Sequence, residues 1–159
     1  MTDTFQIRPY GPGDEKAVLD LWTACRLVAP QNNPKRDIAS KLKVNPEWFL
    51  VGTIEGRIIA TCMAGYEGHR GWINYLAVSP PFQRKGLATA MMKAAESQLQ
   101  AAGCPKINLQ VRETNTDVVK FYKKIGYTPD LVLSMGKRIP LQADGNPPDG
   151  QESDAGGAI

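Results

Sequence analysis

Apolar side chains recur along the chain at two spacings, and each change of spacing marks an element. Phe5–Arg8 alternates apolar with polar and predicts a short strand. Behind Asp14, an N-cap residue type, Val18, Leu21, Trp22, Cys25 and Ala29 fall on one helical face. Asn33-Pro34 opens a second, short helix with proline at its first position, and Ile38 and Leu42 face inward. Trp48–Thr53 and Arg57–Ala64 predict two strands joined at Glu55-Gly56, a hairpin-turn pair, and Trp72–Val78 predicts a third after a polar loop. The longest helical pattern covers 87–102, with Leu87, Met91, Ala94, Ala95 and Leu99 on one face and Gly103 and Pro105 stopping it. Ile107–Val111 predicts a strand, Thr116–Ile125 a helix, and Tyr127 to Lys137 strand again. The order β-α-α-β-β-β-α-β-α-β-β mixes hairpins with helical crossovers. It predicts an α+β (mixed α/β) architecture and argues against a doubly wound dinucleotide fold.

Composition narrows the picture. The chain has 159 residues, 42% hydrophobic and 22% charged, which fits one ordinary globular domain and excludes wholesale disorder or a collagen-like repeat. Its longest apolar runs, Trp48–Val51 and Ile58–Gly65, fall far short of the ~20 residues of a membrane span. The first residues lack the basic and then apolar character of a signal peptide, so a cytoplasmic protein is expected. Cys25, Cys62 and Cys104 are far apart without a CxxC, and His69 is the single histidine, so neither a disulfide set nor a metal site is expected.

Charge is unevenly spread. Residues 140–159 carry Asp144, Asp149, Glu152 and Asp154 without a lysine or arginine, among many Gly and Pro. They predict a flexible acidic tail behind a folded unit of residues 1–139. That unit is modestly basic, which suits an anionic small ligand; the excess is too diffuse for nucleic acid.

The stretch richest in chemistry is Leu76-Ala-Val-Ser-Pro-Pro-Phe-Gln-Arg-Lys-Gly-Leu-Ala88, a strand end followed by a basic, glycine-bearing turn into the long helix. Unpaired N–H groups at a helix N-terminus favour an anion, and Gly86 lets a ligand approach the backbone. A plain strand-to-helix loop with solvated cations fits the composition equally well. Neither GxxxxGK[ST] nor GxGxxG is present, so ATP and NAD readings lose their usual support.

The Gln83-Arg84-Lys85-Gly86-Leu87-Ala88 turn resembles the Q/R-x-x-G-x-G/A signature of the GNAT superfamily of N-acetyltransferases. A second block, Asn115-Thr-Asp-Val-Val-Lys-Phe-Tyr-Lys-Lys-Ile-Gly-Tyr127, resembles that superfamily's N-x-x-A-x-x-x-Y-x-x-x-G-F/Y block. The element order from residue 5 to about 138 is similar as well. Gly65-Tyr-Glu-Gly-His-Arg-Gly71, Gly103-Cys-Pro-Lys-Ile107 and Ser134-Met-Gly-Lys-Arg138 resemble the small bacterial YpeA-type acetyltransferases. Gln83 and Val118 depart from the commoner Arg and Ala.

The resemblance implies an acyl-CoA N-acyltransferase fold, with a mixed, mostly antiparallel sheet flanked by helices and a splayed parallel strand pair, Trp72–Val78 and Ile107–Val111. It implies acetyl-CoA as the acyl donor, no metal and an amine acceptor, small molecule or protein N-terminus. Its cofactor-binding residues would include Gln83, Arg84, Lys85, Gly86, Leu87, Ala88 and Thr89, with the diphosphate on the N–H groups of the 84–89 turn and the pantetheine arm along the main chain of Leu76, Ala77 and Val78. Tyr122 occupies the family position of the general acid; alone it reads as a packing residue. Asn115 either caps its helix or contacts the cofactor, and capping suits asparagine better. Nucleic acid and membrane are not expected partners. A homodimer stays open, because final strands often mediate pairing in such folds.

The general base is the open point. Many relatives carry a glutamate at the position of Asn74, and asparagine cannot accept a proton at neutral pH. Glu67, His69 and Glu113 remain as candidates, each also readable as a loop residue. Deprotonating a lysine at pH 7 costs about 4.6 kcal/mol and an α-amine about 1 kcal/mol, so an enzyme without the strand glutamate is expected to favour an α-amine or another weakly basic amine. The acceptor is expected near Arg26–Lys35, where Arg26, Gln31 and Asn32 offer polar groups, although an ordinary solvated connection fits as well. The alternative function is an acyl-CoA-binding sensor or interaction module without transferase activity.

Overall fold

The computed structural model describes residues 4–141. The strands β1 (Gln6–Pro9), β2 (Phe49–Ile54), β3 (Arg57–Tyr66), β4 (Gly71–Val78) and β5 (Ile107–Asn108) form one sheet in that order. Neighbours are antiparallel except β4 and β5, which run parallel. The helices α1 (Glu15–Ala24) and α2 (Pro34–Lys41) cover one face, and α3 (Leu87–Ala101) and α4 (Thr116–Lys124) the other. The expected mixed, mostly antiparallel sheet with flanking helices is therefore present.

Local chemistry sets these elements. Glu55 and Gly56 both take positive φ, 50° and 75°, which is the turn that suits the twist of a two-residue hairpin. Asn33 accepts the Arg36 N–H at 3.0 Å and Pro34 stands in the first turn, which starts α2. On the α3 and α4 face, Leu50, Cys62, Leu76, Met91, Met92, Leu99 and Tyr122 share one buried cluster. On the other, Val18, Trp22, Ile38, Phe49 and Val51 share a second. The Trp22 indole N–H donates to Thr61 Oγ1 at 2.9 Å, satisfying a buried polar group in that second layer.

Four expectations need correction. The helix expected to reach Ala29 stops at Ala24, because Arg26 turns left-handed at φ 57°. Arg26 N–H bonds Thr23 O and Leu27 N–H bonds Trp22 O, a Schellman closure that buries Leu27 in place of Ala29. Asp14 holds the N-cap position of α1 but makes no side-chain capping bond; its carboxylate instead accepts the Gly11 N–H at 2.8 Å and pairs with Arg8 at 2.6 Å. The Ile107–Val111 strand shrinks to Ile107–Asn108, and Tyr127 to Lys137 contains no strand. There Lys106 and Asn108 bond Asp130, and Gln110 bonds Ser134, through side chains. Without a backbone ladder the strand-like composition has nothing to pair with, and Leu131, Leu133 and Met135 stand in solvent.

No helix among the described residues is long and apolar enough to cross a membrane, and none of them form a group of three or more His, Cys, Asp or Glu suited to a metal ion. The expected tail lies, from residue 142 onward, outside the described residues.

Candidate active site

An opening in the sheet follows from where the parallel ladder stops. β4 and β5 pair only at Gly71 with Ile107 and Trp72 with Asn108, after which β4 runs on to Val78 and β5 has ended. Gly71 permits this close start: a Cβ there would lie 2.8 Å from Cys104 Sγ and 3.1 Å from Ile107 Cγ1. Opposite the opening β4 carries a bulge. Thr61 faces Ala77 and Met63 faces Asn74, so Tyr75 and Leu76 together oppose Cys62. Tyr75 takes φ 51°, an uncommon conformation for a bulky residue, and the Thr61 hydroxyl donates to the Tyr75 carbonyl at 2.8 Å. Beyond the bulge Ser79 donates its N–H to Ile59 O, so the N–H and C=O of Val78 point the other way, into the opening.

The turn into α3 borders the same opening. Arg84 and Gly86 both adopt positive φ, 61° and 79°, and Gly86 is the N-cap without a side chain to cap with. Ala90 makes the first bond of the helix, to Gly86 O at 3.1 Å, which leaves the N–H groups of Leu87, Ala88 and Thr89 without intrahelical partners. Such a run of amides at a positive helix end is an anion site, and the exposed Arg84 and Lys85 add charge.

Gln83, expected among the cofactor-binding residues, also bonds within its own chain. Its Nε2 donates to the Val78 carbonyl at 2.9 Å, and Cys25 Sγ reaches the same oxygen at 3.3 Å. The side chain thus ties the turn to the end of β4 and takes up a carbonyl that faces the opening. Gln83→Ala should raise the KM for acetyl-CoA about five- to tenfold while kcat stays within twofold, since a mispositioned turn weakens ground-state and transition-state binding alike. Steady-state kinetics with acetyl-CoA as the varied substrate measure it.

Tyr122 comes from the far side, on α4. Gly126 at φ 102° closes that helix, with Gly126 N–H bonding Lys123 O and Tyr127 N–H bonding Tyr122 O. This Schellman closure folds Tyr127 back so that its ring meets Tyr122 edge-to-face at 5.6 Å. The Tyr127 hydroxyl donates to Glu96 at 2.9 Å, whereas that of Tyr122 has no hydrogen-bond partner among the described residues. Tyr122 is 5% exposed, and burial, with a smaller contribution from Cys62 beside it, pushes its hydroxyl well above the ordinary range. Burial likewise pushes the Cys62 thiol up to about 12, so that group is an inert part of the wall.

The candidate bases are not brought together. Glu67 and His69 sit in the β3–β4 connection beside Gly71, about 15 Å along β4 from the bulge at a strand's rise per residue. Glu67 Oε1 accepts the backbone N–H groups of Arg70 and His69, which holds its carboxyl below the usual range and makes it a poorer base. Glu113 lies between β5 and α4, at the splayed end. Asn115 is the N-cap of α4, yet its side chain makes no capping bond there. Sequence reasoning missed Thr61, Tyr75 and Cys25, which position β4; a bulge on a bulky residue has no local sequence signal.

The sequence pattern of the Acetyltransferase (GNAT) family matches residues 15–127. An acetyltransferase of Pectobacterium atrosepticum is 42% identical over 134 residues, covering 84% of this chain and 95% of its own. Ard1 from Thermoplasma volcanium shares the fold at TM-score 0.67 and 24% identity, over 78% of this chain and 82% of that one. An aminoglycoside N-acetyltransferase solved in complex with CoA does so at TM-score 0.68 and 16% identity, over 87% and 98%. Together with the splayed strands and the uncapped turn, these matches mean that the chain belongs to the acetyltransferase (GNAT) family and is an acetyl-CoA-dependent acetyltransferase.

Proposed function

We propose that the protein transfers the acetyl group of acetyl-CoA to a primary amine, of a small molecule or a protein N-terminus, by direct attack within a ternary complex. The observation that carries this reading is that the uncapped amides of the 84–89 turn and the bulged main chain of β4 flank one opening. The amides of Arg84 to Thr89 hold the diphosphate. The main chain of Leu76, Ala77 and Val78 extends the sheet onto the pantetheine arm. Val78 offers its N–H, because its carbonyl already accepts from Gln83. Asn115, free of a capping bond at the head of α4, adds a polar contact to the same ligand.

In the chemical step the amine nitrogen bonds to the thioester carbon. Main-chain N–H groups at the bulge stabilise the oxyanion, an arrangement worth about 3 kcal/mol. The C–S bond then breaks and the Tyr122 hydroxyl donates its proton to the departing sulfur. The amine proton leaves to water or to Glu113, the base candidate at this end of the sheet. We assign the activity to residues 1–139 and none to 140–159, and read the protein as cytoplasmic, in keeping with its unpaired cysteines.

With asparagine at position 74, an acceptor that is already largely neutral suits the site best. Thiol release from acetyl-CoA, measured from pH 6 to 9 with a dipeptide α-amine and with a lysine ε-amine, should give the α-amine the higher kcat/KM at pH 7. The gap should narrow as pH rises. A lysine preference at pH 7 defeats the α-amine assignment, and tight acetyl-CoA binding without amine-dependent thiol release returns the sensor reading.

A further inference from the structure

On the face of β4 opposite α3 and α4, an acidic group stands beside the bulge. Ile73 packs in the α3 and α4 layer, so Trp72 and Asn74 project to the other side, where Tyr75 also packs. The Tyr75 ring stacks on Trp22 at 3.8 Å, and its hydroxyl donates to Asp37 Oδ2 on α2. The two lysines nearest in sequence have other partners. Lys35 approaches Glu15 of α1 at 4.0 Å, and Lys41, one helical turn on from Asp37, donates its ammonium to the Ala64 carbonyl. Asp37 is half-buried, and the indole of Trp72, 38% exposed, and the exposed Asn74 amide lie farther along the same strand face.

We infer that Asp37 is a binding residue for a positive group on the acceptor, one distinct from the amine that is acetylated. This rests on the acetyl-transfer reading above. The reacting nitrogen must be neutral and must reach the bulge main chain. The Tyr75 hydroxyl lies roughly 6 Å out from that main chain by standard bond lengths, and Asp37 stands one hydrogen bond beyond it. A cation held there is therefore a second one, several bonds away from the nitrogen that attacks. The acceptor class is a polycationic amine: a diamine or polyamine, an amino sugar with more than one amine, or a peptide with a basic side chain near its N-terminus. The segment Arg26–Lys35, where the sequence suggests acceptor contacts at Arg26, Gln31 and Asn32, reaches only the first residues of α2 and stops short of Asp37.

A matched pair of probes isolates the second charge: 1,5-diaminopentane and 1-aminopentane, acetylated at about pH 9, where both bear similar fractions of neutral amine. The wild-type protein should prefer the diamine at least tenfold in kcat/KM. Asp37→Asn keeps an oxygen for the Tyr75 hydroxyl but loses the charge, and should bring that ratio to near one while monoamine turnover and acetyl-CoA affinity stay within twofold. Asp37→Glu should retain the preference. A wild-type ratio near one, or a preference that survives Asp37→Asn, overturns the inference and leaves acetyl transfer standing. Absence of turnover with either amine, in protein that binds acetyl-CoA, overturns the transfer reading and the inference with it.

Discussion

Glutamate in place of Gly86 should abolish acetyl-CoA binding, raising Kd at least ~100-fold, or about 2.7 kcal/mol. Two effects add. Gly86 sits at φ 79°, where an L side chain costs about 1–2 kcal/mol. The new carboxylate would also stand at the head of α3, competing with the diphosphate for Leu87, Ala88 and Thr89 N–H groups and repelling it. A Cβ at Gly86 meets no atom within 4 Å, so the loss would not come from a clash inside the protein. Gly86→Ala separates the effects: it keeps the backbone cost without the charge and should weaken binding only severalfold. Calorimetric titration of both variants, with thermal unfolding as a control, reads this directly. Equal affinity of Gly86→Glu and wild type would contradict the site.

The second large effect belongs to Tyr122. Tyr122→Phe should lower kcat 10²- to 10⁴-fold, about the range for losing a general acid, with the KM for acetyl-CoA within threefold. Folding should tolerate the change, because the hydroxyl has no hydrogen-bond partner among the described residues and the ring contacts to Phe121 and Tyr127 survive. Burial raises the pKa of this phenol, so the proton is held at neutral pH and released only well into the alkaline range. The wild-type rate should therefore show no loss of this acid below about pH 10, the ordinary tyrosine value. Stopped thiol-release assays across pH test it; an unchanged kcat in the phenylalanine variant would reduce Tyr122 to packing.

Most of the fold was legible where sequence chemistry is local. The Glu55-Gly56 hairpin, the Asn33-Pro34 start and the Gly103 stop each name a backbone conformation, and each stands as read. The 84–89 turn was legible for the same reason, since Gly86 before a helix implies an uncapped N-terminus. What escaped depends on contacts distant in sequence. Arg26 takes the left-handed position usually given to glycine, held by Leu27 packing inward, so the end of α1 had no signature. Tyr75 takes its left-handed conformation in mid-strand among contacts distant in sequence: Thr61, fourteen residues earlier, bonds its carbonyl, and Trp22 and Asp37 hold its side chain. Gln83 reads as a ligand contact in the motif, and its bond to the Val78 carbonyl, which depends on the orientation of Val78, has no local signature. The segment after Tyr127 has strand-forming residues but no ladder, which composition alone does not foresee.

We propose that main-chain amides of the turn grip the diphosphate, and amide-resolved NMR tests that most directly. On titration with CoA, the ¹H–¹⁵N signals of Arg84 to Thr89 should shift strongly, while pantetheine, which lacks the diphosphate, should leave them in place and perturb Leu76 to Val78. CoA binding that moves the β4 signals and leaves those of 84–89 unmoved would contradict it.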